Sequence, residues 1–214
     1  MTESSQSTSA RLNELLASAG LETLDRNTAA KFADYSDLLL RWNARTNLTA
    51  IRDEEGILSR HFVESIACAR ALPDGIATLL DFGSGAGFPG IPIALCRPEI
   101  AVTLAESQGK KAAFLRETVR TLNLSIQIHS GRAESLTTRF DCVVLRAVDR
   151  MSQAVTDAST LVLPGGCLAV MTTEAELKQL RVEEFTWNNP IPLPGSDHRV
   201  LALTKVQANS RNAK

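Results

Sequence analysis

The sequence predicts an α/β protein: a mostly parallel sheet with helices on both faces, a helical segment in front of it and an antiparallel pair of strands at its end. Three observations carry this prediction. From residue 77 onward, short apolar runs alternate with helix-patterned stretches. A glycine-rich loop follows the first such run. The last two runs are joined by a connection too short, and too rich in proline, to hold a crossover helix. The length of 214 residues suits one domain with a short appendage, and 44% hydrophobic against 22% charged residues is ordinary for a chain with a packed core. Whole-chain disorder and fibrous classes are excluded.

Taken in order, residues 1–9 (MTESSQSTS) are polar and carry no lysine or arginine. They are expected to be a disordered tail, without signal-peptide character. Residues 10–75 read as a helical cap. Leu12, Leu15, Leu16 and Ala19 recur at helical spacing before Gly20. A second pattern runs from Ala29 to Trp42 and a third from Asp53 to Leu72, ended by the turn chemistry of Pro73-Asp74-Gly75. Residues 76–206 form the α/β domain. Its strand-like runs are 77–82, 101–106, 125–130, 141–147 and 166–172, apolar throughout as strands buried on both faces should be. Helices are expected from near Gly90, from Gln108 to Leu122, from Met151 and from Glu174. VEEFTW (182–187) and RVLALTKV (199–206) then read as the antiparallel pair, and 207–214 as a loose tail.

Charge and composition narrow the function classes. Twenty-three Lys and Arg against 24 Asp and Glu leave a formal charge of −1, so any nucleic-acid partner must meet a local patch and not a net field. Cys68, Cys96, Cys142 and Cys167 lie at least 25 residues apart, and no Cys or His spacing matches a zinc site. They read as reduced thiols in a cytoplasmic protein. No metal is expected, nor a membrane span, since no window approaches 18 uninterrupted apolar residues.

The strongest local signal is Asp81-Phe82-Gly83-Ser84-Gly85-Ala86-Gly87-Phe88-Pro89-Gly90, between the first strand and a helix. Ligands of open parallel sheets bind at the carboxyl ends of the strands, where glycines bring the backbone close to them. Gly85 to Gly90 also fits the dinucleotide fingerprint G-x-G-x-x-G. Two features argue against a pyrophosphate: a carboxylate at Asp81, which suits a cationic ligand, and the loss of N–H donors at Pro89 and Pro92. S-adenosylmethionine, cationic and free of phosphate, fits better. Glu106 after the second strand suits ribose hydroxyls in either case.

DFGSGAGFPGIPIA, followed by ES..KK..FL and GRAE, resembles the RsmG (GidB) family of bacterial 16S ribosomal RNA guanine-N7 methyltransferases. The resemblance covers about Tyr35 to Lys205. LLLRWNARTNLTAIRD (38–53), RHFVESI (60–66), FPGIP (88–92) and RAV (146–148) lie outside a generic methyltransferase loop. It implies a Rossmann-like class I methyltransferase fold with a seven-stranded sheet, and S-adenosylmethionine as methyl donor. It implies that Gly83 and Phe88 line the cofactor pocket, that Glu106, Ser107 and Gln108 lie by the ribose, and that Ala133 and Glu134 frame the adenine. Arg146 would stand near the methyl-transfer locus. From the residues alone, Glu134 also reads as a solvated helix-start acid, and Arg146 as an ion-pair partner for an acid such as Asp149. The chain departs from the family in having Glu at 64 and 106 where Asp is usual, and Met171-Thr172-Thr173 where Lys-Gly is common.

Guanine N7 is an exposed lone pair, so methylation asks for alignment more than for a general base, and no catalytic base is assigned. Arg60, His61, Lys110 and Lys111, with Arg41, Arg45 and Arg52, are the candidate contacts to 16S ribosomal RNA, within the small subunit or an assembly intermediate. Asp53, Glu54 and Glu55 interrupt that patch. Two other readings stand beside this one. An NAD-dependent oxidoreductase would need no acid at Asp81; a non-catalytic ribosome-binding relative would have a decayed pocket.

Overall fold

A computed structural model describes residues 3–148, 150–180 and 186–205. The strands are β1 (Thr78–Phe82), β2 (Ala101–Ala105), β3 (Gln127–His129), β4 (Phe140–Arg146), β5 (Val162–Thr173), β6 (Ile191–Pro192) and β7 (Arg199–Lys205). They form a seven-stranded sheet in the order β3-β2-β1-β4-β5-β7-β6. The pairs from β3 through β5 are parallel, whereas β7 runs antiparallel to both β5 and β6. The chain leaves β1 toward β2 and later returns to its other side as β4. This reversal opens a crevice above the carboxyl ends of β1 and β4.

Period-2 alternation within the strands feeds two cores. Leu79, Cys142 and Val144 face one cluster, while Leu80, Val143 and Leu145 face the other. The second cluster is covered by helix α7 (Met151–Thr160), through Ala154, Val155 and Ala158. The first is covered by α5 (Gly90–Cys96), α6 (Gly109–Thr121) and the whole helical N-terminal segment. That segment comprises α1 (Glu3–Ser18), α2 (Arg26–Thr46), α3 (Glu54–Gly56), a π-helical stretch (Ile57–Val63) and α4 (Glu64–Ala71). Asp25 caps α2 by accepting from the N–H groups of Asn27 and Thr28 at 2.8 and 3.1 Å. Phe32, Tyr35, Phe62 and Ile66 are fully buried in one cluster with Leu79 and Leu104, so the helical segment shares its core with the sheet.

Three local expectations are revised. Helix α1 starts at Glu3, inside the stretch 1–9 read as a disordered tail. Local polarity is overridden by packing: Thr8 is buried, and Ser9 Oγ donates to the Ala29 carbonyl of α2 at 3.1 Å. The run 182–187 lies mostly outside the described residues, and its last two residues, Thr186 and Trp187, are in no strand. The antiparallel partner on the outer side of β7 is instead β6, within the stretch expected to be a loop. Pro192 is tolerated there because β6 is an edge strand. The tail 207–214 and Asp149 lie outside the described residues.

Among the described residues no helix is long and apolar enough to cross a membrane, and no cluster of His, Cys, Asp and Glu could hold a metal ion. The four cysteines are free; Cys142 and Cys167, register partners on β4 and β5, approach to 3.3 Å between sulfurs. One more helix, α8 (Glu174–Gln179), follows β5.

Candidate active site

The glycine loop is shaped from below by two buried side chains. Asp81, at the end of β1, is 0% exposed, and its Oδ2 accepts from the N–H of Gly90 at 3.0 Å. A Cβ at residue 90 would sit 2.4 Å from Leu104 Cδ2 and 2.6 Å from Asp81 Oδ2, so only glycine lets α5 start this close to the sheet. Asp81 therefore does not face a cationic ligand, as its charge suggested in sequence. It lies beneath the loop and fixes the turn. Burial pushes its carboxyl up to about 7, against the pull of the Gly90 N–H. The second support is Tyr35 of α2, whose hydroxyl donates to the Ala86 carbonyl. Its ring stacks on Phe88 at 5.3 Å.

Above the loop the crevice has two joined halves. One, with a cavity volume of about 300 Å³, is lined by Phe82, Gly83, Glu106, Ser107, Gly131, Ala133, Glu134, Val148 and Asp157, among others. The other, about 380 Å³, is lined by Gly83, Ser84, Gly85, Phe88, Glu106, Ser107, Gln108, Lys111 and Arg146, with Thr49 and His61 from the helical segment. Gly83, Glu106, Ser107 and Val148 belong to both halves. Gly83 has φ +75° and Gly85 φ +57°, the left-handed region that glycine alone enters without penalty. Glu106 sits at the joint, with Oε2 accepting from Gly85 N–H at 2.9 Å and Oε1 from Gln108 N–H at 2.7 Å. A carboxylate oxygen accepts more than one hydrogen bond, so both retain capacity for hydroxyl donors.

Arg146 closes the far end of the second half. Its NH2 donates to Glu64 Oε2 at 2.9 Å and to the Arg60 carbonyl at 2.6 Å; its NH1 donates to Ser65 Oγ at 3.2 Å. Glu64 is 1% exposed and also pairs with Arg199 at the start of β7. The ion-pair partner of Arg146 is thus Glu64 of α4. The Arg146 guanidinium carbon also lies 5.9 Å from the centroid of the Phe88 ring. The His61 ring stacks on Phe88 as well, with centroids 4.5 Å apart and planes 16° apart, and its Nε2 lies 2.8 Å from Thr49 Oγ1. Burial, then the charges of Arg146 and Arg60, push His61 down to about 3.

All eight residues assigned to the cofactor from sequence come to this crevice: Gly83, Phe88, Glu106, Ser107, Gln108, Ala133, Glu134 and Arg146. The RNA candidates divide. Lys111 lines the crevice; Lys110 is exposed one residue away. Arg60 contributes its carbonyl to Arg146, while its exposed side chain is not part of the lining. His61 lines the crevice, stacked on Phe88 and held toward its neutral form. Tyr35, Thr49 and Val148 escaped the residue-level reading. Thr49 and Val148 lie in quoted motifs, but nothing local marks Tyr35. The departure at 172 has a structural account. Thr172 Oγ1 donates to Glu176 Oε2 at 2.6 Å, and Thr173 and Glu176 form a capping box that starts α8.

Strand order, a reversed last strand and a glycine loop whose partner acid ends β2 together define a Rossmann-like methyltransferase fold. Solved structures agree at the level of the fold. A methyltransferase from Pyrococcus furiosus superposes with a TM-score of 0.60 at 15% identity, covering 86% of this chain and 100% of that one. A SAM-dependent methyltransferase from Aquifex aeolicus gives 0.58 at 14%, covering 71% and 93%. The family model described as rRNA small subunit methyltransferase G (GidB) matches residues 28–190, and the chain belongs to that family. It is 40% identical over 199 residues to ribosomal RNA small subunit methyltransferase G of Stenotrophomonas maltophilia, covering 88% of this chain and 90% of the relative. The same-named protein of Xanthomonas campestris pv. campestris (strain 8004) is 37% identical, covering 82% and 85%.

Proposed function

We propose that the protein transfers a methyl group from S-adenosylmethionine to N7 of a guanine in 16S ribosomal RNA, acting in the cytoplasm on the small subunit or an assembly intermediate. The observation that carries the reading is the single two-part crevice at the strand reversal, hinged on Gly83 and Glu106. The residues fit this cofactor better than a dinucleotide. The first N–H of α5, which a pyrophosphate would need, is taken by the buried Asp81, and Pro89 and Pro92 offer no donor. Bound S-adenosylmethionine supplies a methyl group activated by its sulfonium. In this reading Ala133 and Glu134 frame the adenine, and Glu106, with Ser107 and Gln108, accepts the ribose hydroxyls. Gly83 gives close backbone approach, and Phe88 and Arg146 bound the end where transfer occurs.

The reaction requires no proton removal from N7, so it asks for alignment and not for a general base. It requires that the guanine, cationic once methylated, not meet uncompensated positive charge. Glu64 offsets part of the positive charge that Arg146 and Arg199 bring to it, and the adjacent His61 is held toward its neutral form. The test is calorimetric titration with S-adenosylhomocysteine and, separately, NAD, followed by labelled-methyl transfer to unmodified small subunits and to naked 16S RNA. Saturable binding of the former alone and label mapping to guanine N7 are expected. Binding of NAD alone, or label on another atom, would overturn the reading.

A further inference from the structure

Outside the crevice, helices α2 and α6 enclose a groove with a cavity volume of about 590 Å³, lined by Leu38, Arg41, Trp42, Arg45, Thr46 and Glu117. Its floor is aromatic: Trp42 is part-exposed, packs T-shaped with Phe114 at 5.7 Å between ring centroids, and donates from Nε1 to Glu117 Oε2 at 3.2 Å. Its rim is cationic. Arg41 and Arg45 are exposed, and their side chains take part in no ion pair or hydrogen bond among the described residues. Glu117, the one carboxylate among the lining residues, accepts from the indole N–H. This groove is continuous with the crevice along the chain: α2 ends at Thr46, and Leu48 and Thr49 already line the half that holds Phe88 and Arg146.

We propose that the groove is a second RNA subsite, which seats an unpaired nucleotide of the substrate beside the target guanine, its base against Trp42 and its phosphates between Arg41 and Arg45. The inference rests on the RNA-substrate reading above. An aromatic platform flanked by guanidinium groups is how proteins hold single-stranded nucleic acid without reading its sequence. It also answers how a chain of net charge −1 grips a polyanion: with cations left unpaired in one place.

The test uses the full chain with Trp187→Phe, which leaves Trp42 as the only indole, and a hexamer of oligo(A) as probe. Saturable quenching of Trp42 fluorescence is expected, weakening as salt rises. The exposed double variant Arg41→Glu/Arg45→Glu should lower that affinity at least ten-fold. In methylation of naked 16S RNA it should raise KM roughly ten-fold with kcat unchanged. Trp42→Leu, which keeps apolar packing on Phe114 but removes the stacking face, should weaken the hexamer by a similar factor at unchanged salt slope. S-adenosylhomocysteine affinity, unchanged in every variant, certifies that the fold and the crevice are intact. Quenching or KM indifferent to charge reversal would overturn the proposal. So would a defect confined to assembled subunits, which would make the groove a protein contact. Failure of the underlying reading is separate, because the unsubstituted protein would then neither bind S-adenosylhomocysteine nor transfer label.

Discussion

Asp81 is a fully buried carboxyl group. Its folded-state pKa of about 7 lies above the unfolded value of 3.8, so between these limits the native state holds a proton that the unfolded chain releases. Its contribution to stability is complete below pH 4 and is lost as pH rises through 7, by an amount on the order of 4 kcal/mol. Asp81→Asn keeps an oxygen for the Gly90 N–H and removes the titration. Urea unfolding from pH 4 to 8 should show the variant gaining on the unsubstituted protein as pH rises; parallel curves would refute this account. Gly90→Ala places a methyl against Leu104 and Asp81. Overpacking of this kind costs about 1–3 kcal/mol, and S-adenosylhomocysteine binding should weaken with it because the loop must lift. The sequence marked Asp81 as a partner for a cationic ligand, whereas it is buried under the loop: whether a strand-end carboxylate faces the ligand or the loop depends on which side chains fill the space around it.

At the scale of elements, the helical segment is tied to the sheet by Glu64, which lies at the junction of the π-helical stretch and α4 and contacts Arg146 of β4 and Arg199 of β7. Removing it by Glu64→Ala leaves two little-exposed guanidinium groups without their counter-charge, a loss of about 3–5 kcal/mol measurable by denaturant unfolding. A change under 1 kcal/mol would mean that the cluster is solvated and does not bind the layers together. Asp141, entering β4, accepts from the N–H groups of Ala77 and Thr78 and from Thr78 Oγ1. Asp141→Ala should cost about 1–3 kcal/mol through the start of β1, with the crevice at the opposite end of these strands unaffected. The helices and parallel strands were legible because their apolar spacing is local. The Glu64 cluster was not, since its members are separated by 82 and 53 residues in sequence.

For the whole molecule, one core spanning helical segment and sheet predicts one cooperative transition on heating. Tyr35 and Phe32 cover the same face as Leu79 and Leu104, so a chain beginning at residue 76 should not fold alone; a soluble fragment with native circular dichroism would contradict this. Saturation with S-adenosylhomocysteine at 100 times its Kd should raise stability by about 2.7 kcal/mol, and removing it should restore the lower melting temperature. Because His61 sits far below its ordinary pKa, the methylation rate between pH 6 and 8 should show no limb belonging to it. A histidine-like limb abolished by His61→Asn would count against its neutral, stacked role.

What the sequence determined by itself was periodic or punctuated. Alternating apolar runs set the parallel strands, three prolines between the last runs excluded a crossover helix, and Gly83 to Gly90 located the crevice through backbone conformations that side chains forbid. The eight crevice residues were named through motifs that resemble those of the family, and not by that rhythm. Tertiary structure alone decided how those motifs meet. It turned Asp81 inward, held His61 neutral between Phe88 and Thr49, chose Glu64 for Arg146, made a helix of a polar N-terminus, and set Ile191–Pro192 as the edge strand. Each of these depends on desolvation or on partners far away in the chain. Local sequence carries the conformational preference of a residue, but its electrostatic environment exists only once the chain has closed around it.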